Sequence, residues 1–490
     1  MKLKVKDVNL STGGPLIVIL NYKDAKKLDI HSGDRVLLKK GRKEIIAALN
    51  VSEISRSIKH KEIGLLEEVM EVLKIKKGEE LELKPTHTPA SIEFIRKKLD
   101  GEKLSKKEIK IIVKDMTEND LTDVELAYFV SACYKNRLSH DEVENLTKAV
   151  LENGEKIKLG KKIIADKHCL GGIPNNRTTM LITPILAAAG LTIAKSSSRS
   201  ITSAAGTADT MEVLSKIAFT PEKIKKIVKK ANGCIIWGGA MELAGADDKL
   251  IKVRYPLRLD PEGLMISSIL AKKASVGSTH VLIDIPIGET AKINSKKKAK
   301  SLKRKFIHLG KRLGMNIKVI ITDGSQPIGN GIGPNLEARD VLYILRRDKK
   351  APKDLEKKSI MMADKIFKLT KTKASAKIIL ESGLAYTKMK EIIRLQNGKS
   401  SIKPEDIELA KYSYNVKSTR RGKVSFIDNK KITKVARIAG APEDKRAGVY
   451  LYKHLKTKVK KNEILYTIYS DSEDKLKYAK AISKDSVKIS

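Results

Sequence analysis

Between Lys167 and Met180 the chain reads KHCLGGIPNNRTTM, and between Ser196 and Thr210 it reads SSSRSITSAAGTADT. Both stretches join glycines, which expose backbone N–H groups, to hydroxyl side chains: Thr178 and Thr179 in the first, Ser198 and Thr207 in the second. Such a loop leading into a helix N-terminus suits an anion, and Lys167 adds a full positive charge. Placed side by side at the carboxyl ends of neighbouring parallel strands, the two loops would take a phosphate or a phosphorylated sugar. The plainer reading is two surface turns rich in small residues. The spacing matches neither GxxxxGK[ST] nor GxGxxG, which argues against a nucleotide triphosphatase and a dehydrogenase. His168 reads either as a structural hydrogen-bond partner or as a catalytic base. Cys169 has no His/Asp relay and reads as an unreactive thiol, and Trp237 in CIIWGG reads as packing.

A third stretch, RYPLRLDPEGLMISSILAKK, runs from Arg254 to Lys273. Arg254 and Arg258 flank an apolar turn. Ser268 and Lys272 lie four apart and share one helix face. Asp260 precedes a helix, so it is either an N-cap or an acid, and residue type alone favours the cap.

These residues need elements to hold them. KIIADKH, LTIAKSS, GCIIWGG, THVLIDIPIG and NIKVIITDG read as strands, with TTMLITPILAAAG and GTADTMEVLSKI as helices between them, so a mostly parallel sheet is expected. Upstream, Ser105/Glu108, Thr122/Glu125 and Ser139/Glu142 form three capping boxes, which make 91–153 a set of helices. GPLIVIL, DRVLLKK and EIIAALNV suggest a small β-barrel before a hinge at KPTHTPAS. Short strands return beyond about residue 415, as GKVSFID, GVYLYK and EILYTIYS.

The 490 residues are too many for one core and imply three or four domains. The longest apolar run, Leu181 to Ala194, is broken by Thr183, Pro184 and Thr192 and falls short of a membrane span. MKLKVKDVNL is not a signal peptide. The three cysteines, Cys133, Cys169 and Cys234, show no metal-ligand spacing and read as reduced thiols of a cytoplasmic protein. The net charge of +41 fits either a nucleic-acid binder or lysine-rich solvated faces. The lysines are dispersed and aromatics make up only 4%, so solvated faces and no specific nucleic acid or membrane partner are expected.

Taken together, DKHCLGGIPNNRTT, KSSSRSITSAAGTADTMEVL, WGGAMELAGADD, YPLRLDPEGLMISSILAKK, THVLIDIPIGETAKI and TDGSQPIGNGIGPNLEARDVL resemble the archaeal AMP phosphorylases, of the thymidine/pyrimidine nucleoside phosphorylase family. The resemblance runs from about residue 3 to about residue 485. It implies a multidomain α/β architecture. An N-terminal β-barrel-like domain would cover 1–86, and a helical domain 88–155 with a returning segment 245–277. A mixed-sheet α/β phosphorylase domain would span 160–244 and 278–414, followed by a C-terminal α+β domain over 415–490. The substrate cleft would lie between the helical and α/β domains.

The resemblance also implies a glycosyltransferase (pentosyltransferase) reaction. AMP, with CMP and UMP as secondary substrates, would react with phosphate to give free base and ribose 1,5-bisphosphate. Phosphate would be a co-substrate, with no cofactor and no metal, in a homodimer or larger homo-oligomer. Gly172 carries over as the glycine whose backbone approaches the ligand. Ser198, Arg199, Ser200, Ile201, Thr202 and Ser203 carry over as a second binding loop, followed by Thr207, Ser268 and Lys292. Asp260 matches the proton donor, a role that burial would favour. The wider family adds Lys167, His168, Thr179, Arg254 and Lys272. Two positions depart from the thymidine phosphorylases: Cys169 stands for a serine, and Asn175-Asn176 for a Gly-Asp pair. The loss of that acid suits a monophosphate substrate. Alternatives are a thymidine or pyrimidine nucleoside phosphorylase, or an inactive basic RNA-binding protein on the same fold, against which intact Asp260, Ser268 and Lys292 argue.

Overall fold

The computed structural model describes residues 1–490 except Gly14, Ile54, Ser55, His87, Glu242, Leu243, Ala244, Tyr255, Leu257 and Arg258. His87 of the expected hinge and Arg258 therefore lie outside the described residues. The chain forms two compact units, Met1–Asn153 with Gly245–Ser267, and Gly154–Ala244 with Ser268–Ser490.

In the first unit six strands close a barrel: β1 (Lys2–Asp7), β2 (Ile17–Asn21), β3 (Arg35–Lys40), β4 (Lys43–Ser52), β5 (Glu62–Leu65) and β6 (Glu80–Pro85), in the order β1-β5-β2-β4-β3-β6. Side chains alternate across a strand, so each strand sends a pair two residues apart into the core. Leu3/Val5, Val18/Leu20, Val36/Leu38, Ala47/Leu49, Ile63/Leu65 and Leu81/Leu83 are all buried. Two short helices, α1 (Tyr22–Lys27) and α2 (Glu67–Leu73), accompany the barrel.

Helices α3 (Ser91–Leu99), α4 (Lys106–Glu118), α5 (Asp123–Lys135) and α6 (His140–Glu152) follow, and the last three open with the capping boxes read from the sequence. Glu142 does more than cap. Its second oxygen takes Lys98 Nζ at 2.8 Å and the Leu104 N–H at 3.0 Å in the buried interior of the bundle. Helix α10 (Gly245–Arg254) packs on α4, α5 and α6. The next helix, α11 (Glu262–Ala274), begins in this unit and ends in the other.

The second unit is built on β7 (Ala165–Cys169), β8 (Ile193–Ser197), β9 (Gly233–Trp237), β10 (His280–Ile287) and β11 (Asn316–Asp323). A bridge between Ile164 and Thr192 joins the two registered groups, which gives the order β9-β8-β7-β10-β11. The mixed sheet expected for this domain is not what forms: every registered pair among these strands is parallel. The cause lies in the connections. Helix α7 (Thr178–Ala188) leads from β7 to β8, α8 (Thr207–Glu212) and α9 (Pro221–Ala231) lead from β8 to β9, and α12 (Lys296–Arg312) leads from β10 to β11. Such crossovers return the chain in the same direction. Helix α7 is buried all round, and Met180, Leu181, Ile182, Ile185 and Leu186 each contribute about 1.5–3 kcal/mol by leaving water.

After the short strand β12 (Gly331–Ile332), helices α13 (Pro334–Leu345), α14 (Lys353–Thr370), α15 (Ala376–Glu381) and α16 (Leu384–Leu395) complete the layer around α7. Just past α16, fully buried Gln396 accepts the Ile235 N–H at 3.0 Å and donates to the Ile235 carbonyl at 2.8 Å. It thus occupies the outer edge of β9. The C-terminal part has strands β13 (Tyr412–Lys417), β14 (Gly422–Ile427), β15 (Gly448–Leu451), β16 (Lys458–Val459), β17 (Ile464–Ser470) and β18 (Val487–Ile489), with α17 (Asn429–Ala439) and α18 (Glu473–Ile482). Strand β12 joins its sheet β12-β15-β17-β13. Among the described residues no helix is long and apolar enough to cross a membrane.

Candidate active site

Strand β7 points its residues alternately to two sides. On one side Asp166, fully buried, holds a cluster of cations. Lys273 Nζ lies 2.7 Å from one carboxylate oxygen and Ser278 Oγ donates to the same oxygen at 3.1 Å, while Lys195 Nζ lies 3.6 Å from the other. Burial alone would raise the Asp166 pKa, but Lys195 and Lys273 outweigh it and hold the carboxyl below its usual range. Lys195 is itself pushed well below its ordinary value by burial, which Asp166 only partly opposes.

On the other side Lys167, also buried, donates to Thr178 Oγ1 at 2.5 Å and Thr179 Oγ1 at 3.3 Å. An ammonium has donors and no acceptor. Each threonine oxygen therefore accepts from the lysine; fully buried Thr178 passes its own O–H to Asn176 Oδ1 at 3.4 Å, and Thr179 keeps an O–H to donate. Burial lowers the Lys167 pKa to about 8, with Cys169 and Asp284 pulling the other way. The lysine is thus charged at neutral pH and loses its proton not far above it. Behind it, Asp284 of β10 is buried with Lys358 at 3.0 Å and Thr322 Oγ1 at 2.6 Å.

The loop between β7 and α7 depends on two glycines. Gly171 and Gly172 have φ of +84° and +85°, and a Cβ on Gly172 would run into the backbone nitrogen of Lys292. The expected approach of Gly172 is thus realised against the segment that carries Lys292, whose side chain is exposed. Cys169 accepts from Asn176 Nδ2 at 2.9 Å, and burial pushes its thiol up to about 11, so it stays protonated. Partly exposed His168 is driven well below its usual pKa by burial and by Lys273, Lys195, Lys167 and Lys292. The ring is neutral at pH 7. Asn175, at φ 52°, donates to Asp340 at 2.6 Å and fastens the loop to α13.

The second loop follows β8. Asp209 Oδ2 accepts the N–H groups of Ser200 and Gly206, both at 2.7 Å, which closes the turn. A Cβ on Gly206 would strike the Ser198 carbonyl, so the loop packs on its own backbone. The Arg199 guanidinium is engaged by Glu212 at 2.6 and 2.9 Å and by Asp209 at 3.3 Å, and it sits 4.7 Å from the Trp237 ring. Its geometry shapes the loop. Ser200 bonds to the Ser203 carbonyl, and Ser203 Oγ donates to the Ala205 carbonyl at 2.9 Å. Ile201 is 40% exposed and Thr202 is also exposed.

Direct contacts draw these segments together. Arg177 crosses from the first loop to the second, with Nη1 2.9 Å from Thr207 Oγ1 and Nη2 2.7 Å from the Ala205 carbonyl. On α11, Ser268 is nearly buried and Lys272 is partly exposed, and the Lys272 carbonyl accepts Ser196 Oγ at 3.4 Å. Lys273 beside it meets Asp166. The carboxyl ends of β7 and β8, the end of α11 and the Lys292 segment therefore share one region of the second unit. Its hydroxyls and lysines suit a phosphoryl anion.

Asp260 and Arg254 belong to the first unit. Arg254 Nη1 lies 3.4 Å from Asp260 Oδ1, and the Asp260 side chain is 30% exposed. The Pro261 carbonyl accepts the first helical bond of α11 from Met265, so Asp260 lies one residue before the N-cap position.

Sequence reasoning missed Arg177, Glu337, Asp166, Lys195 and Lys273. One signal was available for Lys195. A lysine amid apolar neighbours in a strand buried on both faces cannot reach water and needs a carboxylate.

Three family models cover most of the chain: the glycosyl transferase family helical bundle domain at 92–154, the glycosyl transferase family a/b domain at 161–388, and the pyrimidine nucleoside phosphorylase C-terminal domain at 423–490. The AMP phosphorylase of Pyrococcus furiosus is 44% identical over 99% of this chain and 96% of its own. A Legionella pneumophila relative, whose name gives thymidine phosphorylase as a provisional activity, is 40% identical over 92% of this chain and 87% of its own. The crystal structure of anthranilate phosphoribosyltransferase from Thermus thermophilus superposes with a TM-score of 0.53 at 18% identity, over 62% of this chain and 99% of that one, and shares the fold. With relatives this similar along almost its entire length, the chain belongs to the AMP phosphorylase family of pentosyltransferases.

Proposed function

We propose that this chain splits nucleoside 5′-monophosphates by phosphorolysis, with AMP the main substrate and CMP and UMP accepted as well. Phosphate adds to C1′ of the ribose, the C1′–N bond breaks, and the base leaves with one proton. The products are free base and ribose 1,5-bisphosphate. The observation that carries this reading is the pair of loops joined by Arg177, in which Lys167 and Arg177 leave Thr179 and Thr207 as donors. Fixed donors of this kind stabilise an anion without reorganisation. Holding phosphate in line with C1′ lowers the entropic cost of the encounter.

By family resemblance, Asp260 gives the departing base its proton, and Gly172, the 198–203 loop, Ser268 and Lys292 bind substrate. Lys272 and Arg254 would contact the base. Phosphate is the co-substrate, and a homodimer or larger homo-oligomer is the working assembly. A second reading, a thymidine or pyrimidine nucleoside phosphorylase, is favoured by the Legionella relative. The two differ in their need for a 5′-phosphate. The test offers AMP, adenosine and thymidine with phosphate and measures free base. Release from AMP should be at least about tenfold faster than from adenosine, the size of one lost charge-assisted contact. Equal kcat/KM for the two refutes the monophosphate reading.

A further inference from the structure

We propose that Arg177 is a positioning residue that presets Thr207 as a donor to a phosphoryl oxygen and so locks the second loop to the first. The inference rests on the reading that Thr207 contacts a substrate anion. A guanidinium carries five N–H donors in one plane and no acceptor. Arg177 sends them three ways: Nε to Glu337 of α13, Nη1 to Thr207 Oγ1 at 2.9 Å and Nη2 to the Ala205 carbonyl at 2.7 Å. Thr207 Oγ1 accepts from the arginine, so its own hydrogen must point elsewhere.

The anchor is firm. Glu337 is 1% exposed and also takes Thr210 Oγ1 at 3.1 Å and the Gly333 N–H at 3.4 Å. Arg177 is 9% exposed, so water cannot readily replace these bonds. It also lies two residues before Thr179, whose hydroxyl oxygen accepts from Lys167 in the same way. One backbone turn thus sets donors in both loops. A lysine at 177 has a single nitrogen and cannot span Glu337, Thr207 and Ala205 together.

The test is a double-mutant cycle on the full chain with Arg177→Met, Thr207→Val and the pair. Inorganic phosphate and AMP are titrated separately by calorimetry, and melting is followed alongside. Each single variant should weaken the same ligand by about tenfold, the scale of one charge-assisted hydrogen bond. The double variant should stay within about twofold of Thr207→Val, because coupled residues are not additive. Which titration moves tells whether the free phosphate or the 5′-phosphate faces Thr207. Losses that multiply in the double variant overturn the proposal, as does an Arg177→Met that leaves both affinities within about twofold. Should Arg177→Met fail to fold, Arg177→Lys, which keeps a charge beside Glu337, enters the same cycle, and full affinity in it overturns the proposal. The phosphate titration does not depend on catalysis. A parent that binds phosphate but releases no adenine from AMP would sink the proposed function and leave this cycle readable.

Discussion

Asp166→Asn tests how the floor of the site is held. Asparagine keeps the shape and can still accept the Lys167 N–H, which lies 2.6 Å from Oδ1. What disappears is the charge matched to Lys273 at 2.7 Å and Lys195 at 3.6 Å, at a position with no solvent access. Stranding buried cations in this way costs about 3–5 kcal/mol. With an unfolding entropy of about 2.1 cal/mol/K per residue, a cooperative unit of about 300 residues should melt roughly 5–8 °C lower. The pH dependence has a definite sign. Asp166 is held below its usual range. Its contribution is therefore full above the unfolded value of about 3.9 and is lost only as pH falls through the lower native value. Lys195 is displaced downwards, and further so without Asp166. As pH rises through the native value of this lysine the unfolded chain binds more protons, so parent and variant both gain stability there. The gap to the parent should narrow as pH falls below about 3.9, where the parent's carboxyl loses its contribution, in calorimetric melts. A shift under about 1 °C at pH 7, or a gap that widens as pH falls below about 3.9, would refute the argument.

Phosphate affinity should weaken as pH rises past about 8, where Lys167 becomes neutral; a Lys167→Met variant should lose that break in a titration series. Asp260→Asn should keep AMP binding but lower kcat by about 10²–10⁴-fold, and a kcat within about threefold of the parent would remove Asp260 from the reaction. Gly172→Ala should cost more activity than Gly171→Ala, since both have positive φ but only Gly172 faces the Lys292 backbone; equal losses in kcat/KM would mean that the close approach is incidental.

Local rules made much of this molecule legible in advance. The three capping boxes follow from spacing alone, because each needs only neighbours within a few residues; three of the barrel strands were legible as apolar runs, while their closure with β1, β5 and β6 joins residues up to about eighty apart. Lys167 with Thr178 and Thr179 was legible for the same reason: a strand–loop–helix brings its own ends together. Arg177 was not, because its anchor Glu337 lies 160 residues away and only the packing of α13 introduces the two. Lys273 was hidden likewise, since its carboxylate arrives from another element. Arg199 shows the converse. The resemblance counts it among ligand-binding residues, yet Asp209 and Glu212, ten and thirteen residues on, hold its guanidinium. The parallel direction of the sheet was legible in the strand–helix alternation, and the mixed sheet that the resemblance implies does not form.

Gln396 at the rim of the sheet has a consequence for the life of the protein in a crowded solution. An outermost strand with free N–H and C=O groups is a template on which another chain can add. By meeting both groups of Ile235 with one side-chain amide, Gln396 stands in for the missing strand and closes that template at its middle. It does so only after α16 has docked, late in the order of the chain. A chain in which α16 has not docked leaves this edge of β9 uncovered, so the docking of α16 protects the sheet as well as the core.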